Sequence, residues 1–312
     1  MNQPTHIYHA DWGTAPRKRW LAKAELGADG RYTAYAPNRL EDHAHLIPSI
    51  RRLIENDGCA FVGFDFPIGI PAAYARLAEI TEFKSFLSGL GDAESADFYR
   101  VARTPSEISI GRPFYPFAPG KKRQAHLLRA LGLDSIDELR RECEKQQQGR
   151  RAACPLFWTL GANQVGKGAL IGWRDVLAPA LRDDDPVLLW MFDGQLRQLL
   201  RPGTIVIAET YPAECYGWFF AESLKGKGKV EVRRKAGRDL LKWADTACVE
   251  LDPALSRTIA QGFPEGDDAF DAVIGLFGMI EVAVGKREPG EPTKKIVRNV
   301  EGWILGQRES VH

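Results

Sequence analysis

The sequence predicts an α/β fold: a mixed sheet with a three-strand antiparallel meander plus parallel strands, flanked by helices and carrying a large, mainly helical insertion between the fourth and fifth strands. Three observations carry that prediction. Short strand-like segments separated by turn residues open the chain. Two almost wholly apolar runs, CAFVGFD and TIVIA, stand far apart and read as strands covered on both faces. Helical periodicity precedes the first run and follows the second.

The elements follow in order. Residues 6–12, 19–26 and 31–37 read as strands, with turn-forming residues at 13–16 and an Asp29-Gly30 pair that suits a tight hairpin. Apolar Leu46, Ile47, Ile50, Leu53 and Ile54 recur at three-four spacing and predict a helix over 40–55. The strand over 59–65 ends at Asp65, where Pro67-Ile68-Gly69-Ile70-Pro71 breaks the chain. The next apolar strand, 204–208, runs into Glu209, and the stretch between the two far exceeds a normal crossover. Residues 67–202 are therefore read as an insertion over the carboxyl edge of the sheet. Within it, 112–123 reads as a Pro and aromatic loop and 138–151 as a charged helix. Helices over about 213–224, 237–250 and 267–285 complete a core made of 1–66 and 203–290, and 291–312 is a Lys-, Pro- and Gly-rich tail. This element order matches the RNase H-like fold, in which the first strand lies beside the fourth and ligands bind at the shared carboxyl edge.

The chain has 312 residues, 44% hydrophobic and 27% charged, which suffices for a substantial core. A net charge of +1 supplies no global field toward nucleic acid or an anionic membrane, so a polyanion site must be local. No basic and apolar leader and no run of eighteen apolar residues is present, which predicts a cytoplasmic protein without a membrane span. Five cysteines without a C-x-x-C pair read as reduced thiols rather than a disulfide framework or a zinc knuckle.

The chemistry rests on acids at strand ends: Asp11, Asp65 and Glu209, with Asp267, Asp268 and Asp271 opening the last helix. A carboxylate is costly to bury unless paired or bound to a cation, so several at one edge point to a hard-metal site. Asp271, Gly275, Gly278 and Val282 share a helical face on which the glycines permit close approach to the sheet, and Asp268 lies one turn before Asp271. Asp267 reads as the helix N-cap. Oxygen ligands suit Mg²⁺ or Mn²⁺, and two such ions about 4 Å apart can activate water and stabilise a leaving oxygen in phosphoryl chemistry. His9, two residues before Asp11, reads as structural.

With these residues in hand, the chain resembles a bacterial domain-of-unknown-function family of predicted RNase H-like nucleases. The resemblance is carried by HADWG, VGFDFPIGIP, ETYPAE, KAGRDLLKW, DDAFDAVIG and CPLFWTLGANQVGKGALIGW, spanning most of residues 6–285. It implies an acidic catalytic and metal-binding site on Asp11, Asp65, Glu209, Asp268 and Asp271 and a nucleic-acid substrate.

Other motifs compete. Gly161 to Lys167 satisfies G-x-x-x-x-G-K, but Gly168 lacks the hydroxyl that a nucleotide P-loop needs, which leaves a Gly-rich turn whose amides and Lys167 contact a backbone phosphate or which merely caps the cleft. Asp11-Trp12-Gly13-Thr14 resembles the phosphate loop of actin-like ATPases and sugar kinases, yet a second duplicated half has no room. Basic stretches at 121–123, 140–141, 150–151 and 225–242, with Phe114, Tyr115 and Phe117 as stacking surfaces, could hold a phosphate backbone, and Arg238 is the leading single contact. Three functions are thereby weighed: a metal-dependent nuclease, a nucleotide or phosphometabolite enzyme using the same site, and a catalytically silent binding module.

Overall fold

The computed structural model describes residues 3–54, 58–90, 96–146, 151–160, 165–182, 187–221 and 224–309. The chain divides into two compact units, one of Met1–Asp65 with Gln195–Pro289 and one of Phe66–Gly194 with Gly290–His312. The segment set apart as a tail by its composition thus groups with the second unit.

The first unit is an α/β structure on a mixed sheet. Its elements are β1 (His6–Asp11), β2 (Trp20–Leu26), β3 (Tyr32–Ala34), β4 (Asn38–Arg39), α1 (Leu46–Ile54), β5 (Ala60–Phe64), β6 (Ile205–Glu209), α2 (Pro212–Phe219), α3 (Val230–Ala247), β7 (Glu250–Leu251), α4 (Pro253–Gln261) and α5 (Asp267–Ala283). The strands lie in the order β6-β5-β1-β2-β3-β7, and β4 pairs with β2. β1 is antiparallel to β2 and parallel to β5, and β5 is parallel to β6, so the two apolar runs pair directly with one another.

Several boundaries move for identifiable reasons. The first helix begins at Leu46 instead of residue 40: Pro48 has no N–H to give and fits only a first turn. β4 stands just before the predicted helix, at Asn38–Arg39. Glu55, predicted to end that helix, lies outside the described residues. The long helix starts at Val230 rather than 237 because Gly237 is an interior contact, where a Cβ would stand 2.5 Å from the Ile259 carbonyl oxygen of α4. Helix α4 was not foreseen, although its start is well marked: Asp252 accepts from the N–H groups of Ala254 and Leu255, and Pro253 follows it.

Helix α5 is apolar almost all round and buried from Ala269 to Ile280. Its two glycines serve different neighbours. A Cβ on Gly275 would come within 2.2 Å of the His9 ring on β1, whereas one on Gly278 would meet Cys215 Sγ on α2 at 2.5 Å. The helix is therefore pressed between sheet and α2, the position of an element with no polar face.

The second unit contains helices over Ala72–Leu77, Phe83–Gly89, Ala125–Leu131 and a run from Val165 to Arg182 with a π-helical middle, plus a strand over Val187–Leu189. The predicted charged helix over 138–151 is absent from the described part of that range. Two 3-10 turns, Ile136–Leu139 and Glu142–Glu144, stand there, and Ala153 N–H returns to the Glu144 carbonyl. A buried arginine explains the turn: Arg141 donates through Nε and Nη2 to Glu144 Oε1 at 3.0 and 2.8 Å and through Nη1 to the Glu301 carbonyl at 3.1 Å. Phe114 and Tyr115 are fully buried, so of the three predicted stacking rings only Phe117 is exposed, with Arg103 over its face. All five cysteines are free thiols, and among the described residues no helix is long and apolar enough to cross a membrane.

Candidate functional site

In the ladder between β1 and β5, Ala10 stands opposite Phe64, so the next residues, Asp11 and Asp65, end neighbouring parallel strands side by side. Both lie on the face that carries His9 and Gly63, by the two-residue alternation of a strand. The Trp12 N–H donates to Asp65 Oδ1 at 2.6 Å, and the Asp11 carboxyl stands close enough to Asp65 for each to act on the other's ionisation. Burial lifts the Asp65 pKa to about 7, with the Trp12 N–H opposing the rise. Burial likewise drives Asp11 well above the carboxylate range, reinforced by the charges of Asp65, Asp271 and Asp268 and opposed by Lys227.

Helix α5 is set over these strand ends by His9, which is completely buried. Nδ1 of His9 lies 2.9 Å from the Ala272 carbonyl and Nε2 lies 2.8 Å from the Thr210 hydroxyl. A carbonyl can only accept, so Nδ1 carries the proton and Nε2 accepts from Thr210. Burial lowers the His9 pKa to about 4 and keeps the ring neutral, and its two bonds tie β1 to α5 and to Thr210. With the helix so placed, Asp271 accepts from Tyr216 Oη at 2.5 Å through Oδ1 and from the Lys227 ammonium through Oδ2. Lys227 also donates to Tyr216 Oη at 2.9 Å. Burial pulls the Lys227 pKa down, but Asp271 and the neighbouring acids outweigh it and the net shift is upward. Burial also raises Asp271, against the pull of Lys227 and Tyr216.

Lys227 is held from behind by Arg233, a buried guanidinium that donates only to backbone carbonyls: Nη1 to Lys227 at 2.6 Å, Nε to Gly262 and Nη2 to Phe263 at 3.0 Å each. Half-buried Asp268 has a raised pKa from burial and from Asp267, moderated by Lys18, Lys227 and Arg39. Three cationic side chains from separate elements thus stand around the acids.

The structure brings Asp11, Asp65, Asp271 and Asp268 within electrostatic reach of one another and leaves Glu209 apart. Glu209 is in register with Phe64, which is in register with Ala10, so its side chain leaves the opposite face of the sheet. Thr210 takes the place beside Asp65 on the site's face. Asp267 is not the N-cap of α5; that position is Gly266, in a left-handed conformation at φ 124°, and Asp267 opens the first turn. Arg238 is exposed on α3. Lys167 belongs to the second unit, half-buried on the helix Val165–Gly172, where Gly166 serves packing: a Cβ there would stand 2.0 Å from the Leu156 carbonyl oxygen. Gly161 to Gln164 of that motif lie outside the described residues. Sequence reasoning missed Tyr216, Lys18 and Arg39; Lys227 and Arg233 fall in the basic stretch 225–242, read there as phosphate contacts and not as partners of Asp271 and of backbone carbonyls.

Among the described residues, no three His, Cys, Asp or Glu side chains are grouped as ligands of one ion. The donor chemistry nevertheless suits a hard cation: buried Asp11 and Asp271 and half-buried Asp65 bring three carboxyls together near the Lys227 ammonium. The chain matches no protein-family model, and neither a curated protein nor a solved structure matches it.

A pH dependence follows. Folded Asp65 ionises near pH 7, whereas an unfolded aspartate ionises near pH 4, so between those values the native state holds a proton that the unfolded chain has lost. Stability contributed by this group is therefore lost as pH rises through that window. The melting temperature of metal-free protein is expected to fall between about pH 4 and 7, and Asp65→Asn is expected to reduce the slope. An equally steep slope in the variant would contradict the assignment.

Proposed function

We propose that the protein is a divalent-metal-dependent phosphodiester hydrolase of the RNase H-like type, acting on nucleic acid. The observation that carries the reading is the adjacency of Asp11 and Asp65 at the ends of parallel strands, with Asp271 set over them by α5. Asp11 and Asp65 would hold Mg²⁺ or Mn²⁺, and the donor set favours one ion over the two expected from the sequence, because Asp271 already has Lys227 and Tyr216 as partners. A bound divalent ion in such a site lowers the pKa of a coordinated water and polarises a phosphoryl oxygen.

The chain's own residues supply the rest. Asp11 and Asp65, both raised in pKa, would give up their protons as a cation bound, because the ion would supply the countercharge the pair lacks. Asp271, half-neutralised by Lys227, orients the ammonium, while Arg233 fixes the Lys227 backbone. Lys18, Arg39 and Lys227 would face the phosphate backbone as local cations, the arrangement a nearly neutral chain needs to hold a polyanion.

The test is thermal unfolding with and without Mn²⁺. At a hundredfold excess over Kd the ion is expected to stabilise the native chain by about 2.7 kcal/mol, and neither Asp11→Asn nor Asp65→Asn is expected to respond. No shift in the native chain sinks the reading. Single-stranded, duplex, branched and hybrid nucleic acids, assayed beside a small phosphate ester, then separate a nuclease from a phosphometabolite enzyme.

A further inference from the structure

A second site is built in the other unit. A pocket of about 420 Å³ there is lined by Phe192, Asp193, Thr293, Lys295, Arg298 and Asn299, among others. Its size is that of a small-molecule site, for which roughly 300–1,000 Å³ is usual. Lys295 and Thr293 are exposed, and Arg298 and Asn299 are half-buried.

The charge and hydrogen-bond balance of this pocket is one-sided. Asp193 is its lining carboxylate, and that charge is already taken: Lys84 Nζ donates to its two oxygens at 2.6 and 2.8 Å, and the Leu189 N–H donates to Oδ2 at 2.7 Å. Lys295, Arg298, Asn299 and Thr293, by contrast, have no side-chain hydrogen bond or ion pair among the described residues. Neighbouring Lys294, on the same segment, reaches Glu142 instead. Residues carrying an ammonium, a guanidinium, an amide and a hydroxyl therefore line one concavity, and among the described residues their side chains have no protein acceptor and the two positive charges no ion pair. Arginine's planar fork makes paired bonds to tetrahedral oxyanions, and the amide and hydroxyl supply further donors around the same group.

From this convergence of unpartnered donors we infer that the pocket binds a phosphate group, presented by a small phosphate monoester. The volume exceeds that of the anion alone and leaves room for the organic part beside half-buried Phe192. The site does not depend on the acids of the first unit, and its test is independent of the proposed hydrolase activity.

The experiment uses the full chain. Inorganic phosphate, AMP and a short oligothymidylate without terminal phosphates are each titrated calorimetrically and by thermal unfolding, against sodium chloride of matched ionic strength. AMP and inorganic phosphate are expected to bind saturably, AMP more tightly, and oligothymidylate to bind Arg298-independently or not at all. Arg298→Gln is expected to weaken AMP at least about tenfold, the loss of one charge-assisted contact. Lys295→Met is expected to weaken it less, and Asp11→Asn to leave it unchanged. Because the Arg298 side chain has no partner among the described residues, the variant's melting temperature without ligand should match that of the native chain, which separates lost binding from lost folding. Absence of any shift beyond the chloride control, or AMP affinity retained in Arg298→Gln, overturns the site. Equal Arg298-dependent binding of oligothymidylate overturns the monoester assignment in favour of a backbone phosphodiester.

Discussion

Gly275→Ala is expected to destabilise the protein by about 3 kcal/mol, although helix propensity alone favours alanine by roughly 1 kcal/mol in a helix interior. The sign is set by His9. A Cβ at position 275 would lie 2.2 Å from both Cε1 and Nε2 of the ring, and the ring cannot retreat, because Ala272 and Thr210 hold its two nitrogens. Accommodation requires moving α5 off the sheet or breaking those bonds, and each buried polar group left unpaired costs about 1–3 kcal/mol. Urea unfolding monitored by circular dichroism measures the cost. Combining Gly275→Ala with His9→Ala should recover part of it, with a coupling energy of about 1–3 kcal/mol between the two positions. Strictly additive effects would show that the helix does not rest on His9. The same shift of α5 would draw Asp271 away from Asp11 and Asp65, so the variant should also lose Mn²⁺ stabilisation if the proposed function holds.

Arg141→Met is expected to cost about 3–5 kcal/mol, the usual penalty for removing one partner from a buried ion pair. Arg141 is fully buried, and Glu144 beside it is 3% exposed. Without the guanidinium, Glu144 keeps only the Arg141 backbone N–H, at 3.0 Å, and the Glu301 carbonyl loses a donor. The effect should spread, since the Glu301 carboxylate accepts from the N–H groups of Ala72 and Glu142 and so ties together segments distant in the chain. Replacing both charges, as Arg141→Met with Glu144→Gln, should restore part of the stability, because no uncompensated carboxylate then remains. A double variant as unstable as the single would place the cost in lost packing instead. The measurement is again denaturant unfolding.

The two variants also mark how far the sequence could be read. The apolar strands, the meander and the apolar last helix were legible because periodicity and apolar runs are local properties: AFVGF and IVIA are buried throughout, as strands covered on both faces must be. Asp11, Asp65 and Asp271 were legible as acids where burial is expensive. Glu209 looked equivalent to Asp65, since both end such a run. The difference is one residue of register, which aligns Glu209 with Phe64 and turns it to the other face. No property of the segment itself encodes that offset.

The partners of the acids were hidden for the same reason. Tyr216 and Lys227 meet Asp271 only because α2 and the turn before α3 bring them there, and Arg233 chooses three carbonyls that adjoin only in the folded chain. Likewise Gly161 to Lys167 had the letters of a phosphate loop, while the unpartnered donors at Thr293, Lys295, Arg298 and Asn299 had no motif at all. By itself the sequence determined the α/β class, the buried strands and the identity of the acids, since composition and spacing settle what is costly to expose or to bury. Tertiary structure alone decided which carboxyls share a face, which cation answers them and where donors converge without acceptors, because those facts depend on strand register and on contacts between residues remote in the chain.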